Sequence, residues 1–159
     1  MAAERAKGVT VVVGVGEGLG AALARRFAAG YRVALVARSA DVIEKVAGEI
    51  RAGGGVAVPI QSDATVEAQI VAAHERIRGE LGPIDVLVYN GGRRPIGRLL
   101  ETTPDVFEDT WRLHAFGAFL WARQVVPGGE SRRECRSVAW SGSSVASQCT
   151  PCRRKSPSS

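Results

Sequence analysis

The sequence of 159 residues is poor in aromatic side chains, 6% of the total, and has only three cysteines and two histidines. It holds no apolar run near the ~20 residues that cross a bilayer. Its first residues, MAAERAKG, carry charge and lack the apolar core of a secretory signal. A soluble, cytoplasmic protein without a membrane partner is therefore expected. The cysteines are Cys135, Cys149 and Cys152, all near the C-terminus. Cys149 and Cys152 have metal-ligand spacing, but one pair supplies two ligands and both histidines lie far upstream, so no metal site is expected. The bland reading is free thiols in a reducing compartment. The two signs of charge nearly balance until the tail. The net charge is +5, and after Pro127 six basic residues face two acids, leaving +1 for residues 1–127. No stacking aromatics are interleaved with the tail arginines, which argues against a nucleic-acid partner.

What the chain does have is a 45% apolar content dominated by Val, Ala, Leu and Ile, enough for one core in one domain. Its periodicity alternates. Strand-like runs at 9–13, 32–37, 56–60 and 84–88 are separated by helical spacing at 19–29, about 40–51 and 62–82, and followed by a long helix at 104–126. In the first helix Leu19, Leu23 and Phe27 share one face. Ser39 is placed to cap the second helix, and Thr103 with Pro104 opens the last. The βαβαβαβα order predicts an α/β fold: a Rossmann-like, doubly wound parallel sheet of four to five strands with an irregular C-terminal tail. We expect a dinucleotide-binding domain over 1–128 and a Ser/Arg/Cys-rich tail over 129–159, with a fifth strand near 137–141.

The stretch GVTVVVGVGEGLGAALARRFAAG, residues 8–30, raises the functional question. A strand running into a helix through glycines leaves unpaired N–H groups and a partial positive charge where a phosphate can sit. The spacing is G-x-x-x-G-x-G, through Gly14, Gly18 and Gly20, with Gly16 and Leu19 in the same turn. The alternative is a tight turn with no ligand. At the end of the second strand an acid would bind the ribose of NAD and a base the 2′-phosphate of NADP. Here Arg38 and Ser39 follow neutral Ala37, which favours NADP while leaving NAD open. Glu17 mildly opposes an extra phosphate, and Arg38 could equally be a solvated surface charge. Asp63, with Ala64 beside it, is placed for an adenine contact, a helix N-cap, or both. Asn90, Gly91 and Gly92 follow the fourth strand, where ligands of open parallel sheets bind.

Together these segments resemble the short-chain dehydrogenase/reductase family over about residues 8–128. Its Thr-Gly-x-x-x-Gly-x-Gly motif looks like VGVGEGLG, with Val13 for the threonine. Its Asn-Asn-Ala-Gly looks like YNGG at 89–92, with two changes. Asp63 matches the aspartate after the third strand, and the long fourth helix matches in pattern and length. The resemblance implies NAD(P)(H) binding and oxidation of alcohols or reduction of carbonyls. It also implies a catalytic Tyr with a Lys four residues on, a Ser, and an Asn in the fourth helix. The Asn position holds His114, which could substitute as a hydrogen-bonding group or be a plain helix residue. Ser144 falls on the catalytic serine, against the alternative of an unstructured Ser-rich tail. No Tyr-x-x-x-Lys exists in the sequence. Tyr89 with Arg93 is the nearest substitute, but Arg stays protonated.

The expectation is a truncated member that binds NADP(H) with little or no catalysis. The change of texture after Gly129 is readable as translation out of frame or an aberrant terminus, which the other two reading frames would test. Alternatives are a non-catalytic nucleotide-binding or pairing partner of a full-length relative, and, more remotely, an S-adenosylmethionine methyltransferase. The latter needs an acid where Arg38 stands. An uncovered apolar sheet edge would invite homo-oligomers or aggregation.

Overall fold

The computed structural model describes residues 6–92, 97–126 and the backbone of 138–140. Five parallel strands form one sheet in the order β3-β2-β1-β4-β5. They are β1 (Val9–Val13), β2 (Arg32–Ala37), β3 (Ala57–Gln61), β4 (Ile84–Tyr89) and β5 (Val138–Trp140). The helices between them are α1 (Leu19–Ala28), α2 (Ala40–Ala52) and α3 (Glu67–Glu80). After β4 come α4 (Pro104–Trp111), a π-helical turn (Arg112–Phe116) and α5 (Gly117–Val125).

Every residue of β1, Val-Thr-Val-Val-Val, is buried, as a central strand covered on both faces requires. Its β-branched side chains suit that pleated surface. Alternation splits them between two cores. Val9, Val11 and Val13 face Ile70 and Ile77 of α3 and Trp121 of α5, while Val12 joins Ala21, Ala24 and the apolar face of α2. The sheet is thus doubly wound. β1 and β4 are neighbours although α1, β2, α2, β3 and α3 lie between them in sequence, so the winding reverses there. The register of that pair slips by one residue at Asp85, where Val9 pairs with Ile84 and Thr10 with Val86. The Asp85 carboxylate accepts the Val9 N–H at 2.8 Å, so the slipped residue repays the ladder with its side chain.

The strands lie close to their predicted places; β3 begins and ends one residue later. Three local expectations are corrected. Leu23 and Phe27 pack half-buried against the core, but Leu19 of the same face is 57% exposed, and the residues α1 buries are Gly20, Ala21 and Ala24. Small residues let the helix axis approach the sheet, and tertiary packing outweighs side-chain size. Ser39 stands at the N-cap of α2 without a side-chain cap bond. The long last helix is interrupted by its π turn. Thr103 does cap α4, accepting the Val106 N–H at 3.4 Å, and Pro104 follows at N1.

His74 is buried on α3. Burial first, then Arg78, hold its imidazole below the usual histidine range, with Glu75 opposing. A depressed histidine favours the folded state above its unfolded value, near 6.5, and that stability declines as the pH falls through the folded value.

β3 is an edge strand and carries Pro59. The carbonyl of Val56 and the N–H of Ser62 both bond to β2. Even-numbered residues therefore turn inward, and the proline nitrogen faces the open flank.

Candidate functional site

Reversal of winding between β1 and β4 leaves a crevice beyond their carboxyl ends, the place where open parallel sheets take ligands. The crevice has a volume of about 280 Å³. Gly14, Gly16, Arg38, Ser39, Asp63 and Ala64 line it, with Gly91 and Gly92 at its other side. Eight of the residues expected from the sequence therefore meet in one cleft, although they come from four separate strand ends.

The glycines divide by role. Gly14 has φ +84°, and a Cβ there would lie 2.5–2.6 Å from the backbone of Asn90 and Gly91. Gly20 is buried, and its Cβ would lie 2.5 Å from the Gly14 carbonyl oxygen. These two close the β1 turn against the β4 turn and seat α1. The Asn90 side chain ties the same junction: its amide donates to the Gly14 carbonyl at 3.0 Å, and its backbone N–H to Val13 at 2.8 Å. Gly16 and Gly18 differ, since a Cβ on either would meet nothing within 4 Å. No side chain caps α1, and its first turn holds no acid. The turn thus offers bare backbone and a helix N-terminus to an anion. A dinucleotide pyrophosphate fits that donor set.

At the carboxyl end of β2 Arg38 and Ser39 are exposed, and among the described residues no ion pair engages Arg38. Glu17, the acid of the glycine turn, lies 3.7 Å from Lys45 of α2. Asp63 is not the N-cap of α3, a place held by Val66. Its Oδ1 accepts the Thr65 N–H at 2.8 Å and the Thr65 hydroxyl at 2.7 Å, closing an Asx turn ahead of the helix. Burial pushes the Asp63 carboxyl up. The Thr65 bonds and the Arg38 charge outweigh this and hold it below the usual range. The carboxylate is thus ionised at neutral pH beside the crevice.

At the far end His114 lies against Gly92: a Cβ on Gly92 would sit 3.1 Å from the imidazole Cε1. Leu113 lines the crevice there. Sequence reasoning missed it, because nothing in the pattern marks a π turn. Ser62 also lines the cleft and was not singled out; its hydroxyl is buried without a partner among the described residues. Ser144 and Arg93 lie outside the described residues. Tyr89 is 4% exposed, and its hydroxyl donates to the Leu113 carbonyl. Burial, then the Asp63 charge, push its pKa to about 12, which makes it a poor proton donor or acceptor near neutrality. A raised phenol favours folding fully below its unfolded value, near 10, and that stability is lost as pH rises toward 12. Comparing unfolding of the parent and Tyr89→Phe between these limits should show roughly 2–3 kcal/mol of extra alkaline loss in the parent.

No helix among the described residues is long and apolar enough to cross a membrane. No group of three or more His, Cys, Asp or Glu among them is arranged to hold a metal.

Comparison with known proteins agrees with this geometry. An uncharacterised oxidoreductase of Mycobacterium tuberculosis is 36% identical over 131 residues, covering 78% of this chain and 38% of that protein. Versicolorin reductase of Emericella nidulans is 33% identical over 121 residues, covering 74% of this chain and 45% of that protein. The matched stretch is thus less than half the length of these relatives. Among solved structures, a metagenomic short-chain oxidoreductase in complex with NADP has a TM-score of 0.76 at 30% identity, covering 81% of this chain and 59% of the other. An Escherichia coli hydroxysteroid dehydrogenase has a TM-score of 0.77 at 27% identity, covering 83% and 56%. The family model for short chain dehydrogenase matches residues 8–149, running past the last helix into the C-terminal tail, and the chain belongs to that family.

Proposed function

We propose that this chain is the coenzyme-holding part of an NADP(H)-dependent alcohol or carbonyl oxidoreductase. One observation carries the reading: Gly14 and Gly20 are consumed by packing, while Gly16 and Gly18 present bare backbone at a helix N-terminus. Amides of that turn would hold the pyrophosphate. Arg38 and Ser39 would take a 2′-phosphate, with Ala37 supplying no competing acid. Asp63 and Ala64 would border the adenine, and Gly91, Gly92 and His114 the nicotinamide end. Bound there, the coenzyme would supply or accept a hydride. The sequence contains no Tyr-x-x-x-Lys to move the accompanying proton, and Tyr89 is committed to Leu113. The 159-residue chain by itself therefore binds coenzyme with little or no turnover.

Calorimetric titration of the purified chain should give heat with NADPH, weaker binding of NADH by about tenfold, or ~1.4 kcal/mol, and none with S-adenosylmethionine. Intact secondary structure with no heat from either nicotinamide coenzyme would overturn the reading. Sustained NADPH oxidation in a carbonyl-reduction assay would overturn the view that the proton donor is missing.

A further inference from the structure

We propose that Tyr89 is a positioning residue: its hydroxyl holds the π turn open and so sets His114 against Gly92 at the nicotinamide end of the crevice. The functional part of this inference rests on the coenzyme reading above, but its structural part stands without it.

The geometry is a competition for one carbonyl. In a regular α-helix the Gly117 N–H would donate to Leu113, four residues back. Here it donates to Arg112, five residues back. The Leu113 carbonyl accepts the Tyr89 hydroxyl instead. A part-buried carbonyl needs a partner, and the Tyr89 hydroxyl, lying beside Gly117, supplies it where the Gly117 N–H does not. Removing the hydroxyl tips the balance to Gly117. The turn then tightens by one residue, which swings the preceding helix face by up to about 100° and takes His114 away from Gly92.

Two glycines make room for this arrangement. A Cβ on Gly117 would lie 2.5 Å from both the Tyr89 hydroxyl and the Ala64 carbonyl oxygen. A Cβ on Gly91 would lie 2.8 Å from Cζ and from the hydroxyl oxygen of the same tyrosine. The two departures from Asn-Asn-Ala-Gly are therefore one coupled change: a tyrosine at 89 requires the missing Cβ at 91. The ring is buried in the core, and its hydroxyl donates to the Leu113 carbonyl.

The test is NMR on the full 159-residue chain. In Tyr89→Phe, the His114 imidazole resonances should move, and the Gly117 amide should change its hydrogen-exchange rate by about tenfold or more. His74 resonances should stay in place as an internal control. Unchanged His114 and Gly117 signals in a folded Tyr89→Phe protein would overturn the proposal. A second measurement avoids reliance on that variant. Tyr31→Phe leaves Tyr89 as the single tyrosine, and ionising it replaces the donor with a phenolate facing a carbonyl. His114 and Gly117 signals should then shift together with the phenolate absorbance while those of His74 stay in place; independent transitions, or a shift of all three together, would sink the latch. A double-mutant cycle completes the test. Gly91→Ala should lower the melting temperature in the parent and by less than half as much in Tyr89→Asn, whereas additive effects would refute the coupling. NADPH titration of the parent alone decides the coenzyme reading, so a failure there is distinguishable from a failure of the latch.

Discussion

Replacing Gly16 with valine is expected to weaken NADPH binding at least about a hundredfold, or ~2.7 kcal/mol, while shifting folding stability by no more than about 0.5 kcal/mol. Gly16 lines the crevice, and its missing Cβ points into open space, so the fold has nothing to lose there. A ligand phosphate approaching the turn would meet the new branched side chain instead of backbone. Gly14→Ala should behave in the opposite way. The residue has φ +84°, and its Cβ would press on the backbone of Asn90 and Gly91, which cannot swing aside. Left-handed strain plus overpacking at the β1–β4 junction should cost about 3 kcal/mol or more of stability. Binding would fall only as a consequence of that loss. Chemical unfolding paired with calorimetry on both variants separates the cases. If Gly16→Val binds NADPH like the parent, the cradle is not where the coenzyme sits. If both variants lose stability equally, the division of the glycines is wrong.

The second large effect is expected at the ribose end. Arg38→Asp should weaken NADPH by about a hundredfold and leave NADH within about threefold, reversing the coenzyme preference. The guanidinium makes no ion pair among the described residues, so its removal orphans no carboxylate and costs little stability. A charge-assisted bond to a phosphate contributes ~1.5–3 kcal/mol, and the new carboxylate adds repulsion. Asp63 gives an internal check. Arg38 helps hold its carboxyl low, so that pKa should rise toward the ordinary range in the variant. The acid-side stability that Asp63 contributes would then be lost at a higher pH than in the parent. Equal losses for NADPH and NADH would place Arg38 away from the 2′-phosphate.

Much of the architecture was readable from periodicity. Val9–Val13 is apolar throughout because a central parallel strand is covered twice, and the strand ends carry the glycines, the arginine and the aspartate that share the cleft. The misses have a common cause, which is that local pattern ranks side chains by size and polarity and tertiary packing does not. Spacing puts Leu19 on one face with Leu23 and Phe27, but α1 lies close to the sheet through Gly20, Ala21 and Ala24 and leaves Leu19 exposed. Asp63 looked like a helix cap, yet Thr65 captures its carboxylate before the helix begins. The break in the last helix was invisible because its causes lie elsewhere. It depends on a hydroxyl from Tyr89, 24 residues away from Leu113, and on room granted by Gly117. Tyr89 itself could be judged from sequence only as a weak candidate for chemistry, and burial is what removes it from that role.

Pro59 has a consequence for how copies of the molecule can adhere. A backbone ribbon recruiting another along its border needs amide hydrogens to offer, and β3 shows a ring nitrogen at the midpoint of its outer margin. Recruitment of a further ribbon along that border is therefore disfavoured.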